Sequence, residues 1–339
     1  MTMEATTFSR DALALDAGAE IERISLAISD IVFKQLRRRG AVIGLSGGVD
    51  SSVVAALCVR ALRKDRVFGL LMPESESSPD SLSLGRLVVE TLGIATAVED
   101  ITPILLAAGC YRRRDEAIRT VIPSYGPSYR SKIVVSSILD RDTLKTCSVI
   151  VESPEGVQQS ARLSADAYHA LLAATSFKQR VRKMLEYYYA DRLQYAVAGT
   201  PNRLEYDQGF FVKSGDGAAD FKPIAHLYKT QVYQLAELLG IPDEIRRRPP
   251  TTDTYSLRQS QEEFYFSTPY QVLDLCLYAI DHQIPALDVA LATNLRPEQI
   301  ARVFRDIQSK RIATRYLHLK PLLIEDIPAI SSHTGSFHP

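Results

Sequence analysis

The run AVIGLSGGVDSSVVAAL, from Ala41 to Leu57, restricts the chain to few folds. A short apolar stretch leads into Ser46-Gly47-Gly48, and Asp50-Ser51-Ser52 then opens an apolar helical pattern. This is the grammar of a strand running into a phosphate-binding loop and a helix N-terminus. Gly47 and Gly48 leave room for successive backbone N–H groups to face one point, and the hydroxyls of Ser46, Ser51 and Ser52 add donors around it. Neither GxxxxGKS/T nor a third glycine completing GxGxxG is present. What stands is SGGxDS, with a carboxylate inside the cradle. Among phosphate oxygens that charge is tolerable only across a divalent cation, so Asp50 reads as a magnesium ligand. An N-capped helix after a tight turn would need one Ser or Asp, not a row of polar and glycine positions.

The flanking pattern predicts an α/β fold with an open parallel sheet flanked by helices. Apolar Ile21, Ile24, Ile28, Ile31 and Phe33 recur at helical spacing between Ala17 and Arg39, and Gly40 supplies a stop. Val67 to Met72 reads as a second buried strand. A polar loop, ESESSPDS, leads into a helix running to Gly93, and a weak strand follows at Ala95 to Val98. Strand, helix, strand, helix, strand at this spacing implies right-handed parallel crossovers, with the nucleotide site in the loops at the carboxyl ends of the strands.

Between about 103 and 175 the order changes. KIVVSSI (Lys132 to Ile138) and CSVIVES (Cys147 to Ser153) flank LDRDTLKT and predict a β-hairpin inserted in the α/β order, as a lid, a dimer arm or a solvated decoration. Helical spacing returns from Ser164 to Leu193, and YAVAG (Tyr195 to Gly199) is a further strand. Lys229 to Leu239 is a helix stopped by Gly240. The part beyond about 265 reads as helical, with helices near Tyr270 to Ile280 and Pro297 to Gln308. The expected organisation is therefore a single domain over 1–339 carrying one insertion.

Forty basic residues balance forty acidic ones, which gives no general pull on nucleic acid. Cys58, Cys110, Cys147 and Cys276 form no CxxC pair, no apolar run approaches a membrane span, and the N-terminal stretch lacks the regions of a signal peptide. A soluble cytoplasmic protein is the expectation, with no membrane partner.

The SGGxDS loop resembles that of the N-type ATP pyrophosphatases, whose members share the adenine nucleotide alpha hydrolase-like, Rossmann-like fold. These enzymes cleave ATP between its α and β phosphates, adenylate a carboxylate or carbonyl oxygen, and displace AMP with a nitrogen or sulfur nucleophile. The segment after YAVAG narrows the resemblance to ammonia-dependent NAD synthetase. Its motifs stand here as Thr200 and Glu205, then Gly209-Phe210-Phe211-Val212-Lys213, Gly215-Asp216-Gly217, Asp220, Lys229 and Thr251-Thr252-Asp253. The spacing holds across several separate motifs and, outside the insertion, most of the chain is covered.

The resemblance implies roles residue by residue. Gly44, Leu45, Ser46, Gly47, Gly48, Val49, Asp50, Ser51 and Ser52 form the ATP phosphate loop, and Thr200, Lys229 and Thr251 approach ATP. Asp50 and Glu205 hold Mg2+. Arg180, Lys213, Asp220 and Lys310 bind the dinucleotide acid, and Asp216, Lys213 and Lys229 serve catalysis. Lysines and a metal offset charge on a pyrophosphate leaving group. Holding the carboxylate against the α-phosphorus replaces a bimolecular encounter, an effect of up to about 7–11 kcal/mol. A carboxylate such as Asp216 can deprotonate ammonium. Taken singly, Lys213 and Lys229 would be solvated lysines, and Gly215-Asp216-Gly217 a turn. Tyr187, Tyr188 and Tyr189 read as packing or a subunit interface, and His169, His226, His282 and His318 show no metal-ligand spacing.

Two segments depart from the family pattern. Its C-terminal His-Lys-Arg run appears as Ser309-Lys310-Arg311, and its glutamine-rich turn as Gln259-Ser260-Gln261-Glu262-Glu263. The ATP half therefore matches better than the acid half. The leading expectation is amidation of nicotinic acid adenine dinucleotide (deamido-NAD) by ammonia through an acyl-adenylate, giving NAD, AMP and pyrophosphate. The alternative is an amide ligase adenylating a different carboxylic acid. An ATP-binding protein without catalysis and an RNA-modifying enzyme fit less well. No glutaminase is visible, so free ammonia is the expected donor, with a separate glutaminase partner left open. The resemblance also implies a homodimer.

Overall fold

The computed structural model describes residues 8–139, 146–252, 254–325 and 327. The tip of the LDRDTLKT segment and Asp253 lie outside the described residues. Helix α1 (Ala17–Asp30) is capped by Asp16, whose side chain accepts from Ala19 N, and continues into a π-helical turn over Ile31–Gln35. Then come β1 (Ala41–Gly44), α2 (Val49–Leu62), β2 (Val67–Leu71), α3 (Pro79–Leu92) and β3 (Ala95–Val98). Helices α4 (Thr102–Ala107) and α5 (Cys110–Arg119) precede β4 (Arg130–Val135), β5 (Cys147–Glu152) and β6 (Gln158–Arg162). The long α6 (Ala165–Leu193), capped by Ser164, leads to β7 (Ala196–Val197). Helices α7 (Arg203–Asp207), α8 (Lys229–Leu238), α9 (Asp243–Arg246), α10 (Tyr270–Asp281), α11 (Ala286–Thr293) and α12 (Pro297–His318) complete the order.

The main sheet is parallel, in the order β3-β2-β1-β7, with Ala41 opposite Val67 and Ala196. Side chains alternate across it, as a strand period of two requires. Ala41, Ile43, Val67 and Leu71 enter one core with α1, α2 and α8. Val42, Leu70 and Val197 enter the other, with Ile101, Leu105, Val181 and Tyr189. Helices on both faces explain why β1 and β2 read as continuous apolar runs.

The insertion differs from a solvated hairpin. β4, β5 and β6 form a three-stranded antiparallel sheet, in which the hairpin gains the polar strand QQSAR. Ile133, Val149 and Val151 are buried against Ile118 and Ile122 near α5, Leu171 of α6, and Tyr255. The stretch after Gly109 is helical, because Cys110, Arg114, Ala117 and Ile118 share one buried face. In the C-terminal part, α12 runs ten residues past Gln308, and α11 adds a helix between the two expected ones. These helices enclose a fourth apolar core around Leu273, Leu277, Val289 and Val303.

Candidate active site

Parallel strands leave their carboxyl ends facing one way, and there the loops after β1, β2 and β7 surround a cleft of about 550 Å3, a size suited to small molecules. Gly47 turns at φ 73°, and a Cβ there would lie 2.8 Å from Ser81 O and 2.9 Å from Leu84 Cβ, so α3 can approach only a glycine. Gly48 N donates to Ser46 Oγ at 3.3 Å, and Ser51 Oγ donates to Gly48 O at 3.1 Å. Gly44, Leu45, Ser46, Gly48, Val49, Asp50 and Ser51 line the cleft at the N-terminus of α2, where helix geometry favours an anion. Gly47 backs onto α3. Ser52 is buried and donates Oγ to Gly48 O at 2.8 Å, so it fixes the loop from behind.

The loop's own Asp50 belongs to a trio of charges with Lys229 and Glu205. Lys229, first residue of α8, forms an ion pair with Asp50 and is itself buried. Asn202 Nδ2 donates to Asp50 Oδ1 at 3.1 Å. Asn202 is also the N-cap of α7: its Oδ1 accepts from Glu205 N at 3.2 Å, and its own N donates to Glu205 Oε2 at 3.2 Å. Gln261 Nε2 donates to Glu205 Oε1 at 2.9 Å. Burial, reinforced by the charge of Asp50, pushes the Glu205 carboxyl up to about 8. Burial pulls Lys229 down, but Asp50 and Glu205 outweigh it and hold its ammonium above the usual range.

Thr200, Thr251, Arg180, Lys213 and Asp216 line the same cleft. Asp216 Oδ1 accepts from Val212 N at 2.7 Å, and burial pushes its carboxyl up. Arg180 Nε donates to Lys213 O at 3.4 Å, and Lys213 Nζ donates to Tyr316 O at 2.9 Å. Two expected substrate ligands sit elsewhere. Asp220 closes β7, its Oδ2 accepting from Val197 N at 2.7 Å and its Oδ1 from Tyr187 Oη at 3.4 Å. Lys310 pairs with Asp306 at 3.0 Å and lies 4.5 Å from the Tyr265 ring centroid. Ser309 is exposed, while His318, nine positions on, packs edge-on against Tyr206 at 4.8 Å and Phe211 at 5.2 Å.

Three residues near the site, Asn202, Lys183 and Glu186, escaped the sequence reading, and a fourth, Gln261, was named there only as part of the glutamine-rich turn. Asn202 carried a signal, since Asn-x-x-Glu is a capping pattern. Gln261 carried only the motif of its turn, and its bond to Glu205, 56 residues away, had no local signal. Lys183 and Glu186 look like a solvated helical pair, yet they form a buried ion pair at 2.5 Å, and Glu186 lines the cleft. Among the described residues no group of three or more His, Cys, Asp or Glu is arranged to hold a metal. Asp50 and Glu205 offer oxygens alone, which fits a hard cation that takes its other ligands from phosphate and water.

The parallel sheet, the SGGxDS loop at the end of β1 and the acid–lysine–acid trio that its Asp50 completes define a Rossmann-like phosphate-loop enzyme. Within that class the chain belongs to the NAD synthase family, whose model matches residues 20–121 and 141–315. It is 58% identical over 315 residues to the NH(3)-dependent NAD(+) synthetase of Mesorhizobium japonicum, an alignment covering 93% of this chain and 99% of that one. Two solved structures share the fold. The NMN synthetase of Francisella tularensis aligns over 91% of this chain and 99% of its own, with a TM-score of 0.62 at 20% identity. The NH3-dependent NAD synthetase of Campylobacter jejuni, solved with nitrate, aligns over 92% and 100%, with a TM-score of 0.59 at 24% identity. No helix among the described residues is long and apolar enough to cross a membrane.

Proposed function

We infer that this chain amidates deamido-NAD with ammonia, cleaving ATP to AMP and pyrophosphate. The observation that carries the reading is Lys229, buried between Asp50 and Glu205 and facing the phosphate loop across one cleft that also holds Arg180, Lys213 and Asp216. The 58% identity to a relative bearing that activity in its name supports deamido-NAD over another carboxylic acid.

In this reading the loop N–H groups and the α2 N-terminus orient the ATP phosphates. Lys229 offsets charge on the departing pyrophosphate, and Thr200 and Thr251 border the nucleotide. Asp50 and Glu205 would hold Mg2+, which supplies positive charge to the phosphate oxygens when bound. That role requires Glu205 ionised, and a cation beside it offsets the burial and the Asp50 charge that raise its pKa. Arg180 and Lys213 bind the dinucleotide acid and hold its carboxylate for attack on the α-phosphorus, which breaks the α–β anhydride. Asp216 accepts a proton from ammonium, and the amine then displaces AMP. Asp220 and Lys310 act by fixing β7 and the Tyr265 region.

The same reading places the enzyme in the cytoplasm, consistent with four free cysteines, and has it work as one catalytic unit on free ammonia. A homodimer is supported by the family and by the exposed Met184 and Tyr188 on α6. The decisive measurement is pyrophosphate release from ATP and ammonium with deamido-NAD against a panel of other acids. Release with another acid and none with deamido-NAD rejects the reading.

A further inference from the structure

The cleft must attract polyphosphate and a dinucleotide, and Arg180, Arg182, Lys213, Lys229 and Arg248 on its wall can meet their anionic groups. Ammonium is a cation and needs a carboxylate there. Among the described residues four acids line the cleft: Asp50, Glu186, Glu205 and Asp216. Two have both oxygens engaged, Asp50 by Lys229 and Asn202 and Glu205 by Asn202 and Gln261, while Asp216 gives Oδ1 to the backbone of its own turn and is already read as the base.

Glu186 is different. Its Oε2 accepts from Lys183 Nζ at 2.5 Å, and its Oε1 has no hydrogen-bond partner among the described residues. That oxygen lies over the end of β1, 2.7 Å from where a Cβ on Gly44 would stand, so the glycine opens the space the carboxylate fills. The residue is only 7% exposed, and what surface it keeps faces the cleft. The oxygen that Lys183 does not hold is therefore open to a donor arriving in the cleft.

The Asp216 turn packs close by against the same helix. A Cβ on Gly215 would lie 3.0 Å from Gln179 Cβ, and Lys183 follows Gln179 by one turn on the same face of α6. Lys183 thus stands between the Gly215-Asp216-Gly217 turn and the end of β1. Lys222, the other nearby cation, lies 5.0 Å from the Tyr206 ring centroid.

We propose that Glu186, oriented by Lys183, is an ammonium-binding carboxylate that delivers the nitrogen nucleophile beside Asp216. Glu186 supplies the charge and one acceptor. Lys183 is a positioning residue: by holding Oε2 it directs Oε1 to the cleft. The assignment rests on the amidation reading above.

The test separates the two half-reactions in the full-length protein. Deamido-NAD-dependent exchange of labelled pyrophosphate into ATP reports adenylation without ammonium. Amide formation at varied ammonium concentration reports the nucleophile. Glu186→Gln, and the apolar double replacement Lys183→Met with Glu186→Leu, are expected to keep exchange within about twofold while raising the KM for ammonium about tenfold. The double replacement guards against misfolding, since exchanging a buried pair for apolar residues is often neutral for stability. An unchanged KM for ammonium in both variants, or exchange and amide formation falling in parallel, overturns the proposal. Absence of exchange in the unmodified protein would instead reject the amidation reading.

Discussion

Lys213 Nζ donates to Tyr316 O at 2.9 Å, so the lysine of the GFFVK segment closes the last turn of α12. It also reaches Leu319 O at 3.4 Å. A cation satisfying carbonyls at a helix C-terminus is a favourable arrangement. Because Tyr316 and Leu317 line the cleft, one side chain couples the C-terminal helix to the site. Lys213→Met is expected to raise the KM for the dinucleotide about tenfold, equivalent to about 1.4 kcal/mol, and to speed tryptic cleavage at Arg315. Faster cleavage with an unaltered KM would show that the lysine only holds the helix.

Asp274 of α10 secures the start of α8. It accepts from Lys229 N at 3.2 Å, from Thr230 N at 2.7 Å and from Thr230 Oγ1 at 2.5 Å. Burial nevertheless pushes its carboxyl up to about 6, against about 3.9 for an unfolded aspartate. The folded protein therefore binds this proton more tightly than the unfolded chain. Its contribution to stability is greatest below about pH 4, declines between about 4 and 6, and is level above. Relative to Asp274→Asn, the unmodified protein should lose urea resistance as pH rises through that window. A constant difference in midpoints at pH 4 and 7 would refute the assignment.

How much the sequence discloses depends on the range of the interactions. The SGGxDS loop is local, so Gly47, Gly48 and Asp50 declared a phosphate cradle directly, and the apolar runs of β1 and β2 declared a sheet covered on both faces. Lys229 and Glu205 could be joined to that loop only through motif spacing, since Lys229 meets Asp50 across 179 positions. Asp220 and Lys310 show the limit of such transfer: their backbone positions agree with the motifs, but their side chains bond to β7 and to Asp306. Strand β6 was illegible because QQSAR has no apolar alternation; it is held by backbone pairing with β5.

A buried ion network ties the insertion to the cleft wall. Lys178 Nζ donates to Glu74 Oε1 at 2.9 Å, Glu76 Oε2 at 2.7 Å and Thr254 O at 2.7 Å, and Tyr111 Oη donates to Glu74 Oε2 at 2.6 Å. Burial raises the Glu74 carboxyl, but Lys178 outweighs it and keeps the group below its usual range. Removing one partner leaves an uncompensated charge, so Lys178→Met is expected to destabilise by about 3–5 kcal/mol. Adding Glu74→Gln should restore part of that loss. Denaturant unfolding of the single and double variants checks both, and a single variant within about 0.5 kcal/mol of the parent would contradict the network's role.

The trio at the phosphate loop yields the sharpest contrast between binding and chemistry. Lys229→Met removes the charge facing the leaving group and leaves Asp50 and Glu205 as neighbouring half-buried carboxylates. Two such groups resist joint ionisation, so the variant should take up a proton near neutral pH unless a cation replaces the lysine. Pyrophosphate release is expected to fall about 100- to 1,000-fold, the scale seen when one preorganised donor is lost. Lys229→Arg keeps the charge but not the shape, and should recover only part of it. Asp50→Asn should lose Mg2+-dependent ATP binding as well, because it removes a proposed ligand where Lys229→Met does not. Calorimetric titration with Mg2+-ATP beside the rate measurement distinguishes the two. Equal loss of ATP affinity in both variants would mean that Lys229 acts by binding the ground state and not by assisting departure of pyrophosphate.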